Sequence, residues 1–305
     1  MSRRNASSEG LYLDHFRLNE APFNLAPDTD YYYDSPTHHD ALGTVLLAID
    51  DGAGFIKITG EVGTGKTLLC RKLVNDLGKP FEVAYLPNPP LTPDQLYRSI
   101  LREFNLELEA ETSQALQLQQ IQDQLLLNFP QKLYVVVVDE AQAVPDETME
   151  ALRLLTNLET EKHRLLQVVL FGQPELDYRL EQGRLRQLHQ RVVFSSRISP
   201  LSLQRVEKYI DHRLNVAGHR GESLFTQTAM RLLFQGSRGE PRLLNILAHK
   251  ALLLTYGKGK YRVSKGHVRA AVKDTDAAYK LPWISTGLWM LLLGAAALLL
   301  ALLLL

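Results

Sequence analysis

The stretch GEVGTGKT, residues 60–67, most constrains what this chain can fold into, and it follows directly on the apolar run FIKI. Gly60, Gly65, Lys66 and Thr67 fit G-x-x-x-x-G-K-[ST], the phosphate loop that joins a strand to a helix. Glycine at 63 and 65 lets the backbone turn its N–H groups toward phosphate oxygens with no Cβ in the way. Lys66 would reach the β and γ phosphates of ATP, and the Thr67 hydroxyl would face Mg2+. The expected nucleotide cradle is therefore Gly60, Glu61, Val62, Gly63, Thr64, Gly65, Lys66, Thr67 and Leu68, with the positive end of the following helix adding to the anion site. A purely structural turn is the competing reading. A strand before and a helix after weigh against it.

Those flanks belong to a longer alternation. GFIKITG is an apolar run bounded by glycines, which predicts a buried strand. KTLLCRKLVNDLG has helical spacing at Leu68, Leu69, Leu73 and Leu77, with Gly78 placed as its C-terminal stop. Upstream, Ser35 and Pro36 read as N-cap and first position of a helix running through HHDALGTVLLAID to Gly52. FEVAYL (81–86), LYVVVV (133–138), LLQVVLFG (165–172) and VVFSSRI (192–198) bring the predicted strands to five. Between them, Thr92-Pro93 with Gln95 opens a helix in capping-box style. The glutamine-rich QALQLQQIQDQLLLNF keeps an apolar side at Leu116, Ile121, Leu125 and Leu126, and DETMEALRLLTNLE (146–159) is a further helix. Continuous β-branched runs predict strands buried on both faces, hence an α/β fold with a parallel sheet between helices.

Beyond Pro200 the pattern changes. SLQRVEKYIDHRLNVAG, TQTAMRLLFQGS, PRLLNILAHKALLLTYG and SKGHVRAAVKD predict four helices and no comparable strand. The expected organisation is an aromatic, proline-punctuated N-terminal segment (1–34), an α/β core (35–200), a small helical domain (201–278) and a C-terminal segment (283–305).

VVVVDE ends in Asp139 and Glu140 at the carboxyl edge of the most strand-like segment, where ligands bind in open α/β sheets. Asp139 is expected to hold Mg2+ through water, and Glu140 to polarise the attacking water as general base. Solvated acids at a strand end are common in isolation. Paired with a phosphate loop some 70 residues earlier, they gain a chemical reading.

Charge and termini narrow the classes of function. With 34 basic and 34 acidic residues the net charge is zero, which argues against a chain whose main task is coating nucleic acid. A single cysteine, Cys70, excludes a disulfide framework or a multi-cysteine metal site and suits a reducing compartment. The polar start MSRRNASSEG has no apolar stretch behind it, unlike a secretory signal. From Trp283 to Leu305 no residue is charged. As a helix this run reaches roughly 34 Å, enough for a bilayer core of about 30 Å. Trp283 and Trp289 stand near its start as interface anchors, and Lys260, Arg262, Lys265, Arg269, Lys273 and Lys280 precede it. The positive-inside rule then predicts a single-pass transmembrane helix with the body of the protein in the cytoplasm. Gly287 and Gly294 do not have the close-packing spacing of a helix dimer face.

Taken together, GEVGTGKT, VVVVDEAQ, the polar residue closing LFGQPEL, and GEPRLLN resemble the AAA+ ATPases. The resemblance implies ATP hydrolysis with Mg2+, Gln173 as first sensor of the γ-phosphate, and Arg242 as second sensor reaching from a helical lid. Many members carry asparagine where this chain has Gln173. LRQLHQRV resembles the segment that carries an arginine finger into a neighbouring subunit, which implies a homo-oligomer with Arg186 or Arg191 as the finger. A solvated or ion-paired side chain is the alternative for each arginine. The stretch YLDHFRLNEAPFNLAPDTDYYYDSPTHHDAL, followed by GFIKITGEVGTGKTLLCRKL, is similar to the secretion and pilus ATPases of the ExeA/GspA type, and nearest to their MSHA type IV pilus (MshM) branch.

That similarity implies an inner-membrane location and pilus or secretion assembly proteins as partners. It also implies an N-terminal stretch near the adenine, where Phe23 and Tyr33 are candidates for base contacts if they are not core aromatics. ExeA/GspA-type proteins carry a periplasmic peptidoglycan-binding domain after the span; this chain ends at Leu305, so direct cell-wall binding is not expected. Two other classes share the core motifs: a DNA-associated ATPase of the transposition-helper type, and a scaffold that binds nucleotide without significant turnover. Zero net charge and the apolar tail speak against the first.

Overall fold

A computed structural model describes residues 12–106, 113–159 and 163–281. Five strands build one sheet: β1 (Phe55–Gly60), β2 (Phe81–Leu86), β3 (Leu133–Val138), β4 (Leu166–Gly172) and β5 (Val192–Ile198). They lie in the order β2-β3-β4-β1-β5 and every neighbouring pair is parallel. Parallel neighbours need crossovers, and helices supply them. α1 (Leu13–Phe16) and α2 (Pro36–Asp50) precede the sheet; α3 (Lys66–Asp76), α4 (Pro93–Glu103), α5 (Gln114–Asn128), α6 (Asp146–Leu155), α7 (Glu175–Glu181) and α8 (Arg186–His189) lie between its strands.

Side chains alternate across each strand, so the central strands feed two cores. On one face Phe55, Val136, Val138, Val168 and Leu170 pack with Leu96 and Ile100 of α4, Met149 and Leu152 of α6, and Leu176 of α7. On the other, Ile56, Ile58, Val135, Val137, Val169 and Phe171 pack with Ala41 and Val45 of α2 and Leu69 and Leu73 of α3. Burial on both faces holds for β1, β3 and β4 but not for all five strands. β5 alternates between exposed and covered positions and β2 is only partly covered, because both are sheet edges. The helix α5 also presents a different face from the expected one. Gln117, Ile121 and Leu125 point inward at a spacing of four, while Leu116 and Leu126 are exposed. α3 closes at Asp76, with Leu77 already extended, so Gly78 plays no part in stopping it.

The caps form where side chains provide them. Ser35 Oγ accepts from the His38 N–H (3.3 Å), Thr92 Oγ1 from the Gln95 N–H (3.2 Å) and Thr226 Oγ1 from the Ala229 N–H (3.2 Å).

After the sheet, α9 (Leu203–Val216), α10 (Gln227–Ser237), α11 (Pro241–Gly257) and α12 (Lys265–Lys273) form the helical domain. Its core takes in the N-terminal stretch: Tyr12, Phe16, Leu18, Phe23 and Tyr31 are buried together with Val206, Ile210, Phe225, Leu233 and Leu247. Phe23 meets Phe225 edge-to-face (ring centroids 6.1 Å apart), and Tyr33 lies against Tyr209 and His212. Both aromatics are therefore packing residues of the helical domain. Arg213 of α9, 5% exposed, fastens this strap: Nε donates to Pro22 O (2.5 Å), Nη2 donates to Asn24 O (3.2 Å), and the guanidinium lies 4.5 Å over the Tyr31 ring.

Among the described residues no helix is long and apolar enough to cross a membrane. The predicted span, 283–305, lies outside them.

Candidate nucleotide site

The order β3-β4-β1 places the carboxyl ends of three strands side by side, and each is followed by a loop with polar groups. After β1 comes the phosphate loop, after β3 Asp139 and Glu140, and after β4 Gln173.

In the loop, Gly63 and Gly65 stand at φ 78° and 95°, conformations that L side chains rarely adopt. Lys66 is buried, and its Nζ donates to the carbonyls of Gly60 (2.8 Å) and Glu61 (3.0 Å). Burial pulls its ammonium below the ordinary lysine range, and the acids Glu140, Asp139 and Glu61 oppose that pull. Thr64 Oγ1 donates back to Glu61 O at 2.8 Å and closes the turn. Val62 is 51% exposed on the outside of the loop. Leu68 is half-buried one residue beyond Thr67.

His38 of α2 braces the loop from below. A Cβ added at Gly65 would come within 3.0 Å of its Nε2, and its Nδ1 lies 2.6 Å from Ser35 Oγ. Burial lowers its pKa, opposed by a hydrogen bond to the Thr64 backbone. A neutral ring that accepts from Ser35 through Nδ1 and donates to the loop through Nε2 satisfies both contacts.

Asp139, 2% exposed, directly follows β3 and accepts the Glu140 N–H at 2.9 Å. Burial pushes its carboxyl up, and hydrogen bonding from the Thr67 side chain and the Glu140 N–H opposes the shift. A buried carboxylate beside a hydroxyl is an oxygen donor set that fits Mg2+. Thr67 and Asp139 would hold the ion, which when bound supplies positive charge to the phosphate oxygens.

Glu140 adopts φ 51°, ψ 38°, left-handed backbone that a residue other than glycine takes only at a cost of about 1–2 kcal/mol. That turn throws its carboxylate toward the end of β4. There Oε2 accepts from Gln142 Nε2 (2.6 Å) and from Gln173 Nε2 (3.2 Å). Arg179 of α7 holds the loop behind it, donating to Gln142 O (2.5 Å), Val144 O (2.8 Å) and Asp146 Oδ1 (2.5 Å). A second link ties β1 to α7: Lys57 pairs with Asp177, which also accepts from Thr59 Oγ1 at 3.3 Å.

The helical domain meets the loop at Gly63. The Arg242 N–H donates to Gly63 O at 3.2 Å, and a Cβ at Gly63 would sit 2.2 Å from Glu240 Oε1. Burial pushes the Glu240 carboxyl up, opposed by the Arg242 charge. The Arg242 side chain is exposed at this junction. Arg186 at the start of α8 is exposed, while Arg191 donates to Thr156 Oγ1 (3.3 Å) and to Asn157 at the end of α6.

The structure thus brings Lys66, Thr67, Asp139, Glu140 and Gln173 together and sets the backbone of Arg242 on the loop; within one chain it does not bring Arg186 or Arg191 to them. Sequence reading missed His38, Gln142, Arg179 and Glu240. Gln142 is the single polar residue in AQAVP after VVVVDE, which was the available signal for it, and GEP before Arg242 was the signal for Glu240. Nothing in the pattern marked His38.

A parallel sheet in this strand order, a phosphate loop after β1, acids after β3, a polar residue after β4 and a helical lid on the loop define the AAA+ P-loop fold. Residues 49–180 match the AAA domain family. The chain is 40% identical over 286 residues to general secretion pathway protein A of Aeromonas hydrophila, across 93% of this chain and 52% of that protein. It therefore spans about half the length of that relative. Among solved structures it resembles the ORC2 protein of Aeropyrum pernix (TM-score 0.62, 18% identity, 84% of this chain and 73% of that one). It also resembles Cdc6p of Pyrobaculum aerophilum (TM-score 0.64, 16% identity, 81% and 70%). At those identities the likeness is one of fold alone.

Proposed function

We propose that the chain is a membrane-anchored ATPase that binds ATP with Mg2+ and hydrolyses it to support assembly of type II secretion-type machinery or an MSHA-like type IV pilus. The observation that carries the catalytic part is the convergence of Lys66, Thr67, Asp139 and Glu140 on the phosphate loop beneath a docked lid.

When ATP enters, the loop amides and the α3 N-terminus receive its phosphates, and Lys66 Nζ exchanges the carbonyls of Gly60 and Glu61 for phosphate oxygens. Glu140 draws a proton from the attacking water. Gln173 at the end of β4 and Arg242 on the lid face the γ-phosphate from two sides. In a homo-oligomer Arg186 is the finger free to enter a neighbour's site, since Arg191 is engaged with α6. The span at 283–305 holds the ATPase on the cytoplasmic face of the inner membrane. Likeness to general secretion pathway protein A supports the secretion setting; the apolar run 283–305 supports the membrane anchor, and the sequence of the N-terminal stretch is the ground for the finer pilus reading.

The test is phosphate release by the purified full-length chain with Mg2+-ATP, with and without phospholipid vesicles. Turnover that Glu140→Gln removes while ATP still binds supports the reading. Absent turnover in the wild-type chain leaves a nucleotide-dependent scaffold, and a salt-sensitive shift of duplex DNA places the chain with the transposition helpers instead.

A further inference from the structure

Gln142 stands between two groups that the proposed reaction uses. Its Oε1 accepts from the Gln173 N–H at 2.9 Å, and its Nε2 donates to Glu140 Oε2 at 2.6 Å. Gln173 Nε2 donates to that same oxygen at 3.2 Å. The three residues close a ring of hydrogen bonds between the loop after β3 and the end of β4. The amide has only one satisfactory orientation, because exchanging its O and N would set oxygen against a carboxylate and nitrogen against an N–H.

The ring rests on a fixed base. Gln142 O accepts from Arg179 Nη1 at 2.5 Å, and Arg179 is itself tied to Val144 O and Asp146. Gly172 leaves room for the side chain: a Cβ there would lie 3.3 Å from Gln142 Oε1. Asparagine, one methylene shorter, would not span from the Gln173 N–H to Glu140.

We infer that Gln142 is a positioning residue that couples Gln173 to Glu140. Both amide donors converge on Oε2, so the carboxylate is aimed and Oε1 is the oxygen left for the attacking water. Because Oε1 of Gln142 is bound to the backbone at the end of β4, any shift of Gln173 toward a phosphate is passed to the base. This inference rests on the ATPase reading above and adds to it how base and sensor act as one unit.

The experiment uses the full-length chain with Gln142→Ala, Gln142→Glu, Gln173→Ala and the Gln142→Ala/Gln173→Ala double variant, measuring phosphate release and ATP affinity in each. In Gln142→Ala, kcat is expected to fall about 10- to 100-fold with KM held within about twofold, the signature of a misdirected group rather than lost binding. The double variant is expected to be no slower than the slower single variant, because either change opens the same ring. Gln142→Glu keeps the shape and the acceptor for the Gln173 N–H but sets a second carboxylate beside Glu140; it is expected to lower kcat at least as far and guards against a folding defect of the alanine variant.

Wild-type kcat in both Gln142 variants, or single effects that multiply in the double variant, overturns the coupling and leaves the ATPase reading standing. No turnover by the wild-type chain overturns the ATPase reading and this inference with it.

Discussion

The two surfaces that meet at Gly63 are built by opposite means. On the core side, each chemical group hangs from backbone that a parallel sheet holds: Lys66 follows β1, Asp139 and Glu140 follow β3, and Gln173 follows β4. On the lid side, the loop is touched by one N–H from Arg242 and by the carboxylate of Glu240. The lid in turn depends on a strap of residues 12–34 that Arg213 pins through two carbonyls. In the proposed reaction the chemical groups sit on the sheet, and adjustment sits where few groups must let go. A lid so attached can answer the nucleotide without disturbing the groups that react.

The largest effect should come from the core side. Glu140→Gln is expected to cut turnover about 100- to 10,000-fold while calorimetry still registers ATP, since the amide keeps the side chain's shape but takes no proton. Lys66→Ala is expected to lose ATP binding itself, as the loop then keeps only amides and a helix end for the phosphates. If Glu140→Gln hydrolyses at the wild-type rate, the base lies elsewhere and the contrast between a reacting core and an adjusting lid breaks at its first term.

Next is the strap. Arg213 is buried, donates to Pro22 O and Asn24 O, and covers the Tyr31 ring. Hydrogen bonds from a charged donor contribute about 1.5–3 kcal/mol each, and their loss leaves Pro22 O buried and unpaired, whereas Asn24 is exposed and its carbonyl can turn to water. Arg213→Ala should therefore cost about 3 kcal/mol or more in urea unfolding. A loss below about 0.5 kcal/mol, the range of ordinary surface changes, would show that the N-terminal stretch is held by its apolar side chains alone.

How far the sequence reveals each surface follows the same division. The strand, phosphate loop and helix from Phe55 to Asp76 were legible because glycine, lysine and threonine at fixed spacing have few other reasons to stand between an apolar run and a helical one. The edge character of β2 and β5 was not, since an apolar run shows that a strand is covered but not which neighbours cover it. Arg213 and Pro22 are 191 residues apart and share no period, so the strap was invisible. Glu140 could be placed from its strand, but the amides that aim it come from two loops whose approach only the folded sheet determines.

A smaller effect sharpens the contact itself. Gly63 holds φ 78°, and an added Cβ meets Glu240 Oε1 at 2.2 Å. Gly63→Ala should lose about 1–2 kcal/mol from backbone strain alone, and ATP affinity should fall about tenfold as the lid is pushed off the loop. Glu240→Ala in the same chain removes the collision but not the strain, so it should recover part of the affinity and none of the backbone cost. Full recovery of both would show that φ at Gly63 is relaxed when the lid lifts.

The smallest effect separates the two surfaces by pH. His38 beneath the phosphate loop, His212 beside the strap and His267 in the lid all have pKa values lowered by burial. A histidine that resists protonation when folded binds fewer protons than the unfolded chain, so stability rises with pH between its lowered folded value and about 6.5. Read downward, stability is lost as pH falls below about 6.5, at no more than about 1.4 kcal/mol per pH unit for each histidine, and the loss levels off once pH passes the folded value. His38→Gln should flatten only the share of that slope belonging to the core, and His267→Gln only the share belonging to the lid. Two resolved unfolding transitions, one answering to each substitution, would show that lid and core melt as separate units; a single transition answering to both would bind them, through Gly63 and the strap, into one cooperative body.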